Sequence, residues 1–285
     1  MIQIVTDSTS DLPRDVVAQL GIQVVPLRVL FGEETFRDGV DLTSDEFFDR
    51  LKASPILPTT SQPPPADFER VFRSAVEQGN EVICMVISAK LSGTYASAMT
   101  AKESFPDARI TVIDSRTTSM ALGMTAEEAA RMAMRGASHE EIVARVEELL
   151  PLTHVYFVVD TLEYLQKGGR IGGAQAFLGT LLNIKPLLTL RDGIVDAMER
   201  VRTKRRALDR MLEIVRREAE ATGYPYRIGV LHGQAPDDAA YLAHRVRELI
   251  NCVQVRQSQV GPVLGTHVGP GVVGMAIQPV LPEKE

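Results

Sequence analysis

The sequence predicts an α/β protein of two lobes. The first lobe should contain a mainly parallel sheet with helices on both faces, and the second should be α+β. Short β-rich runs alternate with helical segments up to about residue 160, and a hairpin pattern then replaces this rhythm. The 285 residues suffice for two domains. We therefore expect the lobes to span residues 1–160 and 161–285.

The first lobe opens with a βα unit. Residues 2–5 form an apolar run that polar residues end, and a helical stretch over 13–20 follows. Thr43 and Glu46 have the spacing of a capping box and predict the start of another helix. Further strands are expected at 22–30, 82–87, 110–113 and 155–159, and further helices at 65–78, 95–104, 120–135 and 139–150.

The second lobe should begin with an antiparallel hairpin. Asp192 and Gly193 lie between two β-rich runs, and an Asp-Gly pair favours the tight turn that joins adjacent strands. After this hairpin we expect helices at 203–221 and 237–249, and strands at 228–232, 253–260 and 272–277.

Composition excludes several classes of function. A net charge of −6 and a pI near 5.5 argue against a nucleic-acid partner. Cys84 and Cys252 lie far apart in apolar surroundings, which predicts core thiols and no metal site. No signal-peptide pattern or membrane-length apolar stretch is present, so we expect a cytoplasmic location with no more than transient membrane contact.

Six blocks rich in Gly, Ser, Thr and Pro follow predicted strands. Hydroxyl groups and glycine-exposed N–H groups can hold a carboxylate or phosphate, and Arg170 adds a guanidinium that suits bidentate recognition. Each block alone is typical of an ordinary turn, but their number favours an anion site. The blocks are Thr6–Ser10, Thr59–Pro63, Leu91–Thr94, Asp114–Ser115, Lys167–Gly173 and Gly265–Gly271, the last containing His267.

Nucleotide-binding motifs are not convincing in this sequence. Gly269–Gly274 spells GxGxxG, yet only 11 residues follow it, too few for the helix and acidic residue that a dinucleotide fold requires. The chain also lacks a GxxxxGK[ST] phosphate loop. We therefore expect no cofactor on this chain.

A hydrolase remains an alternative. Ser92, His267 and Asp114 could form a nucleophilic triad, although no GxSxG elbow surrounds a serine and chain order does not establish geometry. This second hypothesis is a serine hydrolase, or another enzyme acting on small acids, that uses Ser92 and His267.

The segment 200–217 is strongly basic. It carries eight basic residues and two acidic ones on an otherwise acidic protein. The pattern fits either a solvated helix face or a docking surface for an acidic partner, with Arg202, Lys204, Arg205 and Arg206 as the candidates.

Taken in order, the polar blocks resemble those of the DegV family, the fatty-acid-binding proteins that serve as acyl carriers for bacterial fatty acid kinase. The resemblance covers nearly the whole chain. The blocks that carry it are Asp7–Pro13, Arg37–Gly39, Thr60–Pro63, Leu91–Tyr95, Val112–Ser115, Tyr164–Gly172, Ile184–Leu188 and His267–Gly271 with Gly274.

The resemblance implies a non-enzymatic lipid-binding subunit that acts in phospholipid metabolism. A long-chain fatty acid would lie in an apolar tunnel of the first lobe, and a separate kinase subunit holding ATP and Mg²⁺ would phosphorylate its carboxylate to an acyl phosphate. The implied carboxylate ligands are Thr60, Ser61, Ser92, Gly93, Thr94 and His267, and Asp38, Arg170 and His267 would form a charged network that assists phosphoryl transfer. Phe36 stands where the family commonly has tyrosine.

Overall fold

The computed structural model describes residues 1–179 and 184–282. The strands of this part are β1 (Ile2–Asp7), β2 (Gln23–Val25), β3 (Arg28–Phe31), β4 (Glu34–Arg37), β5 (Thr59–Ser61), β6 (Glu81–Val86), β7 (Ile110–Asp114), β8 (His154–Val158), β9 (Lys185–Arg191), β10 (Ile194–Val201), β11 (Tyr226–His232), β12 (Cys252–Gln259) and β13 (Val273–Pro279).

The helices of the same part are α1 (Arg14–Leu20), α2 (Ser44–Ala53), α3 (Pro65–Glu77), α4 (Thr94–Glu103), α5 (Ser119–Met134), α6 (His139–Leu149), α7 (Glu163–Lys167), α8 (Lys204–Thr222), α9 (Pro236–Leu249) and α10 (Pro262–Val268). Helix α2 begins with the predicted capping box, in which Thr43 and Glu46 bond each other's backbone N–H groups. Short 3₁₀ segments occupy Ser8–Ser10, Leu150–Leu152 and Gly172–Phe177.

The first sheet is parallel, in the order β2-β1-β6-β7. Its two faces are covered by different helices because successive side chains of a strand point in opposite directions. Ile4 and Ile83 pack with helices α1, α5 and α6, whereas Val5 and Cys84 pack with α3 and α4. This arrangement confirms the predicted parallel sheet with helices on both faces.

The second sheet is mixed, in the order β10-β9-β8-β13-β11-β12, and only the β11–β12 pair in it is parallel. The predicted hairpin forms between β9 and β10, with positive φ angles of 50° at Asp192 and 78° at Gly193. Strand β8 ends before residue 160 yet pairs in this second sheet, so the chain enters the sheet earlier than the sequence pattern indicates. The boundary at residue 160 stays a prediction.

A third, small antiparallel sheet has the order β4-β3-β5. The sequence predicts one strand over residues 22–30, but the structure divides this run into β2 of the parallel sheet and β3 of the small sheet. Pro26 lies at the break, and its lack of an N–H group makes it unsuited to a continuous ladder. The division places β5 beside β3, with Thr60 opposite Val29.

Helix α5 lies between the two larger sheets and packs against β1 on one side and β11 and β13 on the other. Small residues permit this close approach. A Cβ atom on Gly123 would lie 2.5 Å from the carbonyl oxygen of Ser10, and one on Gly229 of β11 would lie 2.8 Å from Met120 Cβ. Glycine is therefore required on both surfaces of the helix interface.

Two glutamates of α5 form ion pairs with the second sheet. Glu127 is 2% exposed and accepts hydrogen bonds from Arg131 at 2.8 Å and Arg256 at 2.5 Å, while Glu128 pairs with Arg227 at 2.7 Å. Burial raises the pKa of Glu127, but the two arginines outweigh burial and hold it below its ordinary value. Removing either charge would leave the other buried without compensation.

Three buried carboxyl groups lie near the carboxyl end of β1. Asp7 accepts from the Ile87 amide at 2.7 Å, Asp38 from Ser8 Oγ at 2.7 Å, and Asp11 from the Gly261 amide at 2.8 Å. Burial outweighs these hydrogen bonds and raises the pKa to about 6 for Asp7, about 7 for Asp38 and about 8 for Asp11.

These carboxyl groups should make stability fall as pH rises from 6 to 8. Each carboxyl group keeps its proton to higher pH in the folded chain than in the unfolded chain, where its pKa is 3.8. Its contribution to the free energy of unfolding is therefore complete below about pH 4 and is lost as pH rises through the folded pKa. We expect Asp11→Asn to reduce the slope of unfolding free energy against pH by up to about 1.4 kcal/mol per pH unit. Urea denaturation at pH 6, 7 and 8 measures this slope.

Asp107→Asn, a substitution at an exposed position, is the control and should leave the slope as in the parent protein. Equal slopes for Asp11→Asn and the parent would show that Asp11 does not hold a proton across this range.

Candidate functional site

An apolar cavity lies where the second sheet, the small sheet and helix α10 meet. Its empty volume is about 880 Å³, a figure that includes the mouth open to solvent. The apolar lining is Leu27, Ile87, Leu91, Val155, Phe157, Leu165, Leu190, Val195, Leu231, Val260, Val263, Leu264, Val268 and Val272. Most of these side chains belong to β8 and later elements, so the first lobe alone does not enclose this cavity. The family resemblance instead implies a tunnel within the first lobe.

The polar part of the lining contains Thr60, Ser61, Gln62, Ser92, Thr118, Ser119, Arg170 and His267. Thr60 and His267 are 207 positions apart in the chain, and the structure joins Thr60 Oγ1 to His267 Nε2 at 2.8 Å. Strand β5 presents the threonine and α10 presents the histidine. Two elements from opposite ends of the sequence thus form one polar pair at the cavity wall.

His267 is uncharged at neutral pH in this structure. Burial, and secondarily the positive charge of Arg170, lower the pKa of the imidazole to about 4. Its Nδ1 is buried and has no hydrogen-bond partner among the described residues. The family resemblance implies a charged network that includes His267, whereas here this residue is a neutral imidazole whose Nε2 faces Thr60.

Arg170 provides the positive charge at the cavity. Its Nε donates to the Leu91 carbonyl at 3.2 Å and its Nη1 to the Gly168 carbonyl at 2.8 Å. Within residues 1–179 and 184–282, no carboxylate lies at ion-pair distance from this guanidinium. A half-buried cation held by two neutral carbonyls retains its full charge for an anion in the cavity.

The serine block contributes less directly than the sequence suggests. Ser92 lines the cavity, and its hydroxyl lies 2.8 Å from that of Thr94. Gly93 and Thr94 begin helix α4 and are not among the cavity-lining residues. Ser61 lines the cavity and donates to the Gln62 carbonyl at 3.1 Å. The roles of these residues as ligands stay predictions.

Asp38 lies apart from the cavity lining. It borders a different surface depression, near the start of α10, and its neighbours are Ser8 and the Val263 amide. The structure therefore does not bring Asp38 into contact with Arg170 or His267. The family resemblance implies a charged network of Asp38, Arg170 and His267, but the three side chains do not form a direct network in this structure.

The triad of the hydrolase hypothesis does not assemble. His267 Nε2 contacts Thr60 and not Ser92, and no carboxylate of residues 1–179 or 184–282 orients its buried Nδ1. Asp114 instead accepts from the amides of Ala89 at 3.0 Å and Arg116 at 3.0 Å. A nucleophile needs a base in hydrogen-bond reach and a group that orients that base, and the arrangement lacks both relations.

Sequence reasoning missed two features of the site. His267 lies on helix α10, although the surrounding Gly and Thr residues suggested a strand-end turn; Pro262 at the first helical position was the available signal. Thr118 was also missed. It lines the cavity and has a buried hydroxyl without a partner in the described chain, and its signal was the hydroxyl run Thr117–Ser119 before a helix.

The basic segment is partly paired within the chain. Lys204 pairs with Asp238 at 2.8 Å, and Arg205 lies over the Tyr241 ring at 3.3 Å with Asp209 at 3.7 Å. Arg202 and Arg206 are exposed, and no carboxylate of the described residues lies at ion-pair distance from either. The free charge of this face is therefore smaller than the sequence suggests.

Neither a metal cluster nor a membrane span is found in the described ranges. No group of three or more His, Cys, Asp or Glu side chains is arranged there to hold a metal ion. No helix of those ranges combines the length and apolar character needed to cross a bilayer.

Comparison with known proteins places this fold in a family. The family model described as "Uncharacterised protein, DegV family" matches residues 1–280. A DegV domain-containing protein of Clostridium perfringens is 38% identical over 96% of this chain and 98% of its own length.

Two solved structures extend the comparison. A DegV family protein of Thermus thermophilus, described by its fatty acid binding, is 41% identical with a TM-score of 0.93 and covers 98% of this chain and 99% of its own. A stearic acid-binding protein of Eubacterium ventriosum is 31% identical with a TM-score of 0.91 and covers 98% of both chains. With its two larger sheets and nearly full-length matches, the chain belongs to the DegV family.

Proposed function

We propose that this protein binds a long-chain fatty acid in the apolar cavity and presents the carboxylate to a separate kinase subunit. The observation that carries the proposal is an apolar cavity whose polar groups include one guanidinium without a carboxylate partner in the described residues. Family members of known structure are described as binding fatty acids, which supports the same ligand class here.

The tail would supply most of the affinity. Each buried methylene contributes about 0.8 kcal/mol, so a tail of about 14 methylenes could contribute up to about 11 kcal/mol before the costs of association are subtracted. The lining of Val, Leu, Ile and Phe side chains provides the required surface without polar groups that would need partners. The tail would thus lie mainly against the second sheet and α10.

The head group would lie at Thr60, Arg170 and His267. Arg170 would donate charge-assisted hydrogen bonds, and the Thr60–His267 pair would exchange its mutual bond for bonds to a carboxylate oxygen. A carboxylate beside the neutral imidazole favours the protonated form, which opposes the effect of Arg170 on the pKa of His267. Ser61 and Ser92 complete the proposed polar wall.

On this proposal the chain is a lipid-binding subunit, and catalysis requires the kinase. A carboxylate oxygen would attack the γ-phosphorus of ATP, and the bond from that phosphorus to the leaving ADP would break. The acyl phosphate formed in this step would remain bound to this protein. ATP and Mg²⁺ would be held by the partner. Arg170 would neutralise charge that develops between the two anions, while the exposed Arg202 and Arg206 would help to dock the kinase.

Narrowing the cavity should reduce fatty acid uptake. Leu190→Trp adds bulk to the lining, and the loss of about two methylene contacts at about 0.8 kcal/mol each would lower affinity about tenfold or more. Titration of delipidated protein with a fluorescent fatty acid measures this change, and mass spectrometry of extracted lipid measures occupancy. The control is Ile194→Trp on the same hairpin, where the side chain is 38% exposed. Parent-like uptake by Leu190→Trp would contradict a tail in this cavity.

Arg170→Ala should separate binding from phosphorylation. Burial of the tail contributes more binding free energy than one hydrogen bond does, so the purified variant should still contain fatty acid. Acyl phosphate formation, in contrast, should fall about 100-fold or more. The measurement is acyl phosphate produced with purified kinase, ATP and Mg²⁺. Lys90→Ala, an exposed position near Leu91, is the control and should behave as the parent protein. Parent-like turnover by Arg170→Ala would refute the role of this residue.

Neutralising the four candidate docking residues at the beginning of the basic segment should weaken kinase binding. Changing Arg202, Lys204, Arg205 and Arg206 to Ser together should lower affinity at low salt, and the difference should shrink as salt screens the charges. Because Lys204 and Arg205 already have internal partners, Arg202→Ser with Arg206→Ser should account for most of the loss. Calorimetry at two salt concentrations tests this, with Arg216→Ser and Arg217→Ser as the control pair. Unchanged affinity would exclude docking through this face.

A further inference from the structure

Gly168 is a glycine that its own backbone does not require. It follows helix α7 with φ −76° and ψ −9°, a right-handed helical conformation that any residue adopts. The next residue, Gly169, differs, because its φ of +67° lies in the left-handed region that favours glycine. The need for glycine at 168 must therefore come from its surroundings.

The surroundings of Gly168 are the His267 ring. A Cβ atom at this position would lie 2.3 Å from His267 Nδ1, far inside van der Waals contact, and 3.0 Å from both His267 Cε1 and the Tyr164 carbonyl oxygen. The ring has little freedom to move away, because it is buried and its opposite nitrogen is bound to Thr60 at 2.8 Å. Gly168 on one side and Thr60 on the other thus fix the imidazole.

The same residue also holds Arg170. The carbonyl of Gly168 accepts the Nη1 hydrogen bond of Arg170 at 2.8 Å. Its Cα therefore limits the position of the imidazole while its oxygen limits the position of the guanidinium. The two side chains proposed to meet the carboxylate take their separation in part from one backbone position.

A second close contact fixes α7 against α10. A Cβ atom on Gly269, which has φ +73°, would lie 2.3 Å from the Tyr164 ring. Tyr164 of α7 thus packs on the end of α10, while His267 of α10 packs on the end of α7. The paired contacts leave little room for α7 to slide relative to α10.

We propose that Gly168 is a positioning residue that sets the orientation of His267, and with it the spacing from Arg170, at the carboxylate end of the cavity. This inference rests on the proposed function for its consequence in phosphorylation, but the contact with His267 can be tested without a kinase.

Gly168→Ala should displace the imidazole. We expect altered His267 ring signals in NMR spectra of histidine-labelled protein, and acyl phosphate formation with the kinase lowered about 10- to 100-fold, since small misplacements of reacting groups have effects of that size. Bound fatty acid in the purified variant should stay at the parent level. Gly169→Ala is the matched control. It strains the backbone at a positive φ, but its Cβ atom would meet nothing within 4 Å, so the His267 signals should not change.

A double variant makes the test independent of the kinase and of folding defects. In a His267→Ala background the ring is gone, so Gly168→Ala should have little further effect on melting temperature. Equal losses from Gly168→Ala in both backgrounds, or His267 signals that do not change in the single variant, would overturn the proposal. If the NMR shift and the non-additive melting temperature are found but fatty acid does not bind, the contact stands and the proposed function fails.

Discussion

The burial of helix α5 on both sides is the constraint on which the rest of the structure depends. Two sheets can share one helix only where small residues let the backbones approach, as at Gly123 and Gly229. The ion pairs of Glu127 and Glu128 with the second sheet then fix the direction of the helix, because a buried charge displaced from its partner is costly. The start of α5 therefore has one position, and Thr118 and Ser119 there form part of the cavity wall.

The distribution of charge around α10 explains why an anion suits the cavity. Asp11 and Asp38 are bonded near the beginning of this helix, at the Gly261 and Val263 amides, whereas Arg170 lies near its end beside His267. These carboxyl groups thus lie away from the guanidinium, whose charge adds to the effect of burial in lowering the pKa of the imidazole. The opposite arrangement, with Asp38 paired to Arg170, would neutralise the site before a ligand arrived.

Local signals allowed the sequence to predict most elements. The Thr43–Glu46 capping box and the Asp192–Gly193 turn specify their structures within a few residues, and both form as predicted. The prediction failed where long-range pairing decides the outcome. Strand β8 resembles its predecessors but pairs with β13, where the partners His154 and Ile277 are 123 positions apart. The Thr60–His267 contact likewise joins chain segments that no local pattern relates.

Glycine shows the same limit at the scale of one residue. Gly168 and Gly169 are adjacent and identical in type, but glycine is needed at the two positions for different reasons. Gly169 turns the chain with a positive φ, and Gly168 leaves space for the ring of His267, which lies about a hundred residues later in the chain. Reading both as turn residues accounts for the bend and misses the contact. Because that contact and the Arg170 hydrogen bond share one residue, the loop holds a neutral imidazole and a cation at a fixed separation.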